Sequence, residues 1–90
     1  MKIVDTAVIT EIAGDKVLVD VNAEGADSFH GIIKMNETAG YMVEALKEDI
    51  TLDELVDKVM AEYEGASREK IMADAVKLTD ELRRLKLIIE

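Results

Sequence analysis

The sequence predicts an α+β domain in which a three-stranded antiparallel sheet is followed by three helices. Up to the segment Met35-Asn36-Glu37-Thr38 the apolar residues mostly alternate, as they do in strands; beyond it they recur every three or four positions, as they do in helices. The chain has 90 residues, of which 49% are hydrophobic, and this length supports a single core. We therefore expect residues 1–90 to form one domain.

The first two predicted strands, residues 6–12 and 16–21, form a β-hairpin. The turn between them is Ala13-Gly14-Asp15, because glycine accepts a positive φ without a steric penalty. Alternation groups the apolar residues by face, with Val8 and Ile12 on one face of the first strand and Val17, Val19 and Val21 on one face of the second.

A loop at residues 22–28, rich in small and acidic residues, leads to a third strand at residues 29–35. Alternation divides this strand into two faces, one with Phe29, Ile33 and Met35 and the other with His30, Ile32 and Lys34. Ile32 is thus an apolar residue on the face that Lys34 marks as outer.

Three polar residues mark where the helices begin. Asn36 is an N-cap for a first helix that runs from residue 37 to about residue 47. Thr51-Leu52-Asp53-Glu54 is a capping box for a second helix, which ends at Gly65. Ser67 caps a third helix at about residues 68–85, and the closing residues 87–89 are predicted to pack back on the core.

The third predicted helix carries two apolar stripes. The main stripe, which we call the core stripe, consists of Ile71, Ala75, Leu78, Leu82 and Leu85. A narrower second stripe consists of Met72, Val76 and Thr79, followed by Arg83.

Composition excludes several classes of protein. A net charge of −9 repels phosphate backbones, so we expect no nucleic-acid partner. No apolar stretch approaches 18 residues and no signal peptide opens the chain, so we expect no membrane association and a cytoplasmic location. The chain has no cysteine, one histidine and no glycine-rich phosphate loop, so we expect no catalytic residue, no metal site and no cofactor. We predict that the protein is not an enzyme.

The order and spacing of these motifs resemble the PqqD-like family of small peptide chaperones, also called precursor-peptide recognition elements, which take their name from a protein of pyrroloquinoline quinone biosynthesis. The run Phe-His-Gly-Ile-Ile-Lys-Met-Asn-Glu-Thr-Ala-Gly-Tyr-Met-Val-Glu-Ala-Leu at residues 29–46 resembles the family's third strand, turn and first helix. The hairpin and the two later helices are similar to the remaining elements, so the resemblance covers nearly the whole chain.

This resemblance implies a winged helix-turn-helix-like domain that binds the leader segment of a ribosomally made precursor peptide. It also implies a modifying enzyme as second partner, often a radical S-adenosylmethionine protein. In such domains the leader adds as a strand to the third strand and lies against the third helix. Carried over to this chain, the implied peptide-binding residues are Ile32, Ile33 and Lys34 of the third strand and Met72, Val76, Thr79 and Arg83 of the second stripe.

Alternatives stay open at the level of residues and of function. Ile32 could equally well pack against the flank of a helix. Met72 and Val76 could equally well belong to a wider core stripe. A winged-helix nucleic-acid binder is a second functional hypothesis, although the third helix presents mixed charge. A third hypothesis is a module that self-associates, as a homodimer for example, either through the same open sheet edge or by swapping its hairpin between subunits.

Overall fold

A three-stranded antiparallel sheet and three helices make up most of the fold, which confirms the predicted α+β class. The computed structural model describes residues 1–20 and 32–90. The elements in chain order are β1 (Lys2–Ile3), β2 (Ala7–Ile12), β3 (Asp15–Asp20), β4 (Ile32–Met35), α1 (Glu37–Ala45), α2 (Leu52–Glu62), α3 (Arg68–Arg84) and β5 (Ile88–Ile89). The predicted loop at 22–28, together with Val21, Phe29 and His30, lies outside the described residues.

The hairpin between β2 and β3 closes through a two-residue turn. Ala13 and Gly14 both have positive φ, at 54° and 88°, which gives the turn the right-handed twist of the strands that it joins. Asp15, which we predicted as part of the turn, is instead the first residue of β3 and pairs with Ile12. A two-residue connection of this kind leaves no room for a third turn residue.

The sheet has the order β2-β3-β4, so β2 and β4 are its edge strands among the described elements. Ile9, Leu18 and Ile33 lie side by side in the register and pack on the core. The face that carries Val8 and Ile12 points away from the helices, and these two side chains are 41% and 49% exposed. Among the described residues, alternation grouped the side chains of each strand correctly, but it does not predict which face of the sheet meets the helices.

The three predicted helix starts are confirmed by their caps. The Asn36 side chain accepts a hydrogen bond from the backbone N–H of Ala39 at 2.7 Å. Thr51 and Glu54 form the reciprocal capping box, with distances of 3.1 and 3.0 Å. Ser67 accepts from the backbone of Lys70 at the start of α3. These caps fix the residue at which each helix begins.

The ends of the described chain meet in a second, two-stranded sheet of β1 and β5, which the sequence analysis did not predict. The C-terminal segment packs back on the core as predicted, with Leu87 only 1% exposed. Its backbone N–H donates to the carbonyl of Leu82 at 2.8 Å, and the positive φ of Lys86 turns the chain out of α3. Within the described residues, no helix is long and apolar enough to span a bilayer.

Candidate functional site

A groove of about 940 Å³ lies between β4 and α3. Lys34 and Met35 of β4 line one side, and the start of α1 and the connection between α2 and α3 line the rest of its margin. The residues that α3 contributes share one flank of the helix and are Lys70, Ile71, Asp74, Lys77, Leu78 and Glu81. The groove therefore runs beside an edge strand of the sheet.

The bottom of the groove is apolar. Met35, Met42 and Ile71 line it and are 8%, 1% and 7% exposed, so they belong to the hydrophobic core as well as to the groove. Leu78 is half-buried against the same core. An apolar side chain placed in the groove would thus extend the existing core.

The rim of the groove is charged. Lys34 forms an exposed ion pair with Asp15 at 3.4 Å, and Glu81 accepts two hydrogen bonds from Arg84 at 2.5 and 3.1 Å, which hold the pKa of that carboxyl below its usual range. Lys70, Asp74 and Lys77 form no ion pair with any described residue. Three lysines and two carboxylates thus line a groove in a protein whose net charge is −9.

Tyr63, the C-cap residue of α2, lines the groove where α2 leads into α3. Its ring meets that of Tyr41 edge to face, with the ring centroids 5.8 Å apart and the planes at 81°. Burial raises the pKa of the Tyr63 hydroxyl, and the nearby charges of Glu37 and Glu62 raise it further. The Tyr63 hydroxyl is therefore protonated at neutral pH and can both donate and accept a hydrogen bond. Tyr63 lines the groove, whereas Tyr41 does not.

The structure describes the side chains of two of the three predicted β4 residues and places them on opposite faces of the strand. Lys34 lines the groove with its side chain exposed. Ile33 lies on the opposite face of the strand and packs on the core. Ile32 is the first residue of β4 and pairs with Val19, and its side chain lies outside what the structure describes.

The four predicted residues of α3 lie on the other flank of that helix. A helix advances about 100° per residue, so the groove residues lie on one side of the core stripe, whereas Met72, Val76, Thr79 and Arg83 lie on the other. Thr79 is buried and donates to the carbonyl of Ala75 at 2.9 Å, and Val76 is 38% exposed. Arg83 is held by Asp80 and Glu90. None of these four residues lines the groove.

Sequence reasoning missed the groove flank of α3 because its residues are mostly charged. The second stripe was interpreted as a binding surface because it extends the core stripe with apolar residues. Charged residues are instead typical of a solvated face, and four of them occupy the groove flank: Lys70, Asp74, Lys77 and Glu81. Their position in the sequence could have indicated the groove flank, because each of these four residues lies within one helical turn of Ile71 or Leu78 and on the same side of the helix. Among the residues that the structure describes, no group of three histidine or carboxylate side chains is placed to hold a metal ion.

Comparison with known families gives a match over residues 15–88, to the family described as coenzyme PQQ synthesis protein D (PqqD). The chain belongs to the PqqD family. The sequence resemblance to PqqD-like proteins is thereby confirmed. The match includes β4, α1 and α3, which contribute residues to the groove, as well as β3 and α2.

A solved structure supports the PqqD-type fold along nearly the whole chain. It is described as TbiB1 in complex with the TbiA(beta) leader peptide, and it aligns with a TM-score of 0.71 at 23% identity. The alignment covers 97% of this chain and 93% of that one. No match is found among curated proteins.

Proposed function

We propose that this PqqD-family protein binds the leader segment of a ribosomally made precursor peptide in the groove between β4 and α3. The single observation that carries the proposal is the position of that groove beside an edge strand. The solved structure of similar fold, TbiB1, is itself described as a complex with a leader peptide. Family and fold thus favour the same ligand class as the geometry.

The binding mode that we propose is strand addition to β4. This strand pairs with β3 along one edge, and no described strand pairs with its other edge. An edge strand presents backbone N–H and C=O groups that an extended peptide can take up, while side-chain pockets supply specificity. Ile32, Ile33 and Lys34 would make these contacts mainly through their backbone.

On α3, we propose that the peptide contacts the groove flank, above all Ile71 and Leu78. The prediction that Met72, Val76, Thr79 and Arg83 contact the peptide stays a separate proposal. Contact with these four residues requires the peptide to cross the core stripe or to lie on the side of α3 that does not line the groove. The two flanks are distinct enough for one experiment to separate them.

We further propose that the protein acts as a non-catalytic adaptor that delivers the leader to a modifying enzyme, as the PqqD-like resemblance implies. A radical S-adenosylmethionine enzyme is the class that this resemblance favours, and a cytoplasmic location would suit both partners. Nucleic acid is a poor candidate because α3 alternates lysine and arginine with aspartate and glutamate in a chain of net charge −9.

The experiment that tests the proposal is a backbone amide NMR titration with the leader of a precursor peptide encoded beside the gene. We expect saturable binding, with shifts concentrated in residues 32–36 and on the groove flank at residues 70–81. Shifts concentrated at Met72, Val76, Thr79 and Arg83 would favour the other flank of α3. No binding, or shifts spread evenly over the chain, would contradict the proposed function.

Self-association through β2 is a second candidate function. β2 is the other edge strand, and its exposed Val8 and Ile12 would be covered by a second copy. Sedimentation over a concentration series, with and without leader peptide, tests this proposal. A monomer at all concentrations would contradict it, and a dimer that still binds peptide would show that the two edges serve different partners.

A further inference from the structure

We infer that the leader recognised by this protein carries two acidic residues on one face of its bound strand, with an apolar residue between them on that face. This inference rests on the proposed function and specifies the chemistry of its partner. It follows from three features of the groove flank of α3: the charges of its lysines, their spacing, and what lies between them.

Lys70 and Lys77 supply the charge. Both are exposed, both line the groove, and neither forms an ion pair with a described residue. On the opposite side of the groove, Lys34 is bound only by an exposed pair with Asp15, a contact that is worth little in water. In a chain with 20 acidic and 11 basic residues, these lysines make the groove a local exception that favours an acidic ligand.

The spacing of the two lysines sets the spacing of the acids. Seven residues of helix span about 10.5 Å. A strand advances about 3.3 Å per residue, and residues two or four apart share a face, so residues four apart on a strand lie about 13 Å from each other. The flexible lysine stems readily cover the difference of about 3 Å. Two acids at positions i and i+4 of the leader therefore match Lys70 and Lys77.

The position between the acids is set by Asp74, Ile71 and Leu78. Asp74 lies between the two lysines on the same flank and would repel a third acid at position i+2. Ile71 precedes Asp74 by three residues and Leu78 follows it by four, about 4.5 and 6 Å along the helix axis, so apolar surface flanks Asp74 on both sides. The pattern that fits is therefore acid-x-apolar-x-acid, and a continuous run of acidic residues fits less well.

The test is a selection of random 15-residue peptides, displayed on messenger RNA, against the purified full-length protein. We expect the wild type to enrich the acid-x-apolar-x-acid pattern. The double variant Lys70→Glu/Lys77→Glu should enrich basic residues at the two outer positions, and Lys70→Gln/Lys77→Gln should lose the acidic preference without gaining a basic one. The control variant Lys47→Glu/Lys58→Glu has the same change in net charge but alters lysines outside the groove, and it should select as the wild type does.

The outcomes separate this inference from the proposed function. If the wild type enriches peptides without an acidic pattern, or if the groove variants select the same peptides as the wild type, the inference fails while peptide binding stands. If no peptide is enriched and the leader of the neighbouring precursor does not bind, both fail. The neutral variant keeps the test valid if the charge-reversed one does not fold.

The effect of the lysine substitutions on Kd can be measured with one enriched peptide. We expect Lys70→Glu/Lys77→Glu to weaken binding about tenfold in fluorescence anisotropy, as expected for two exposed ion pairs that become repulsive. Raising the salt concentration well above physiological levels should weaken wild-type binding and reduce the difference between the two proteins. An affinity difference below about twofold, or one that does not depend on salt, would contradict the inference.

Discussion

Replacing Leu78 with alanine should weaken leader binding, whereas replacing Val76 with alanine should not. The two residues belong to the same helix and are separated by only two positions, but they lie on different flanks of α3. Leu78 lines the groove and is half-buried against the core, whereas Val76 lies outside the groove and is 38% exposed. Comparing the two variants therefore shows which flank of α3 the peptide contacts.

The expected changes in the free energy of unfolding and in Kd depend on how much of the Leu78 side chain is buried in the core and how much is exposed in the groove. Leucine to alanine removes three carbon groups, worth about 0.8 kcal/mol each when fully buried. Since the side chain is half-buried, we assign about 1.5 kcal/mol of the loss to the free energy of unfolding. The remaining exposed part, worth about 1 kcal/mol, is available to the peptide, and its loss raises Kd about fivefold.

The two quantities are measured separately. Urea denaturation gives the free energy of unfolding, and isothermal titration calorimetry with the leader peptide gives Kd at a temperature where both variants are folded. Val76→Ala should change the free energy of unfolding by less than about 1 kcal/mol, because alanine regains helix propensity, and should leave Kd unchanged. Weaker binding by Val76→Ala together with unchanged binding by Leu78→Ala would refute the assignment of the groove flank.

Four further predictions concern the stability of the fold and the ionisation of Tyr63. Gly40→Ala should stabilise the fold by about 0.5–1 kcal/mol in the urea assay, because alanine favours a helix and its Cβ would displace only the long, exposed Lys16 side chain, whose Cδ lies 3.1 Å away. Gly14→Ala, at a φ of 88°, should destabilise the fold by at least about 1 kcal/mol in the same assay. A destabilised Gly40→Ala variant would contradict the first prediction, and a Gly14→Ala variant as stable as the wild type would contradict the second. Thr51→Ala should cost about 1 kcal/mol in that assay because it removes the capping box of α2, and a loss below about 0.3 kcal/mol would show that the cap contributes little. The raised pKa of Tyr63 means that the folded state holds the hydroxyl proton more tightly than the unfolded state does, so the free energy of unfolding should fall as the pH rises through and above about 10. An ultraviolet titration of the Tyr41→Phe variant, in which Tyr63 is the one remaining tyrosine, should show Tyr63 ionising at a higher pH than free tyrosine. Ionisation at the pH of free tyrosine would contradict the partly buried position of its ring.

The fold was largely predictable from sequence because its signals are local. Asn36, Thr51 and Ser67 each begin a helix through a hydrogen bond that spans three residues, so no tertiary information is needed to locate them. The pairing of β1 with β5 was not predictable, because it joins two-residue segments from opposite ends of the chain. Such short segments carry no periodicity of their own.

The candidate site was predictable only in part, for a physical reason that α3 illustrates. The resemblance to PqqD-like proteins indicated the strand and helix of the groove, and Lys34 does line it. However, a core stripe has two flanks, and the choice between them depends on the angle at which α3 crosses the sheet. Apolar character favoured Met72 and Val76, whereas packing turned the charged flank of Lys70, Asp74 and Lys77 toward β4.

Strand addition to β4 is tested most directly by intermolecular nuclear Overhauser effects between an isotope-labelled protein and an unlabelled leader peptide. The account predicts backbone-to-backbone contacts between the peptide and residues 32–35, together with slowed amide exchange in β4 on saturation. Saturated peptide binding without these contacts, and with exchange in β4 unchanged, would contradict it.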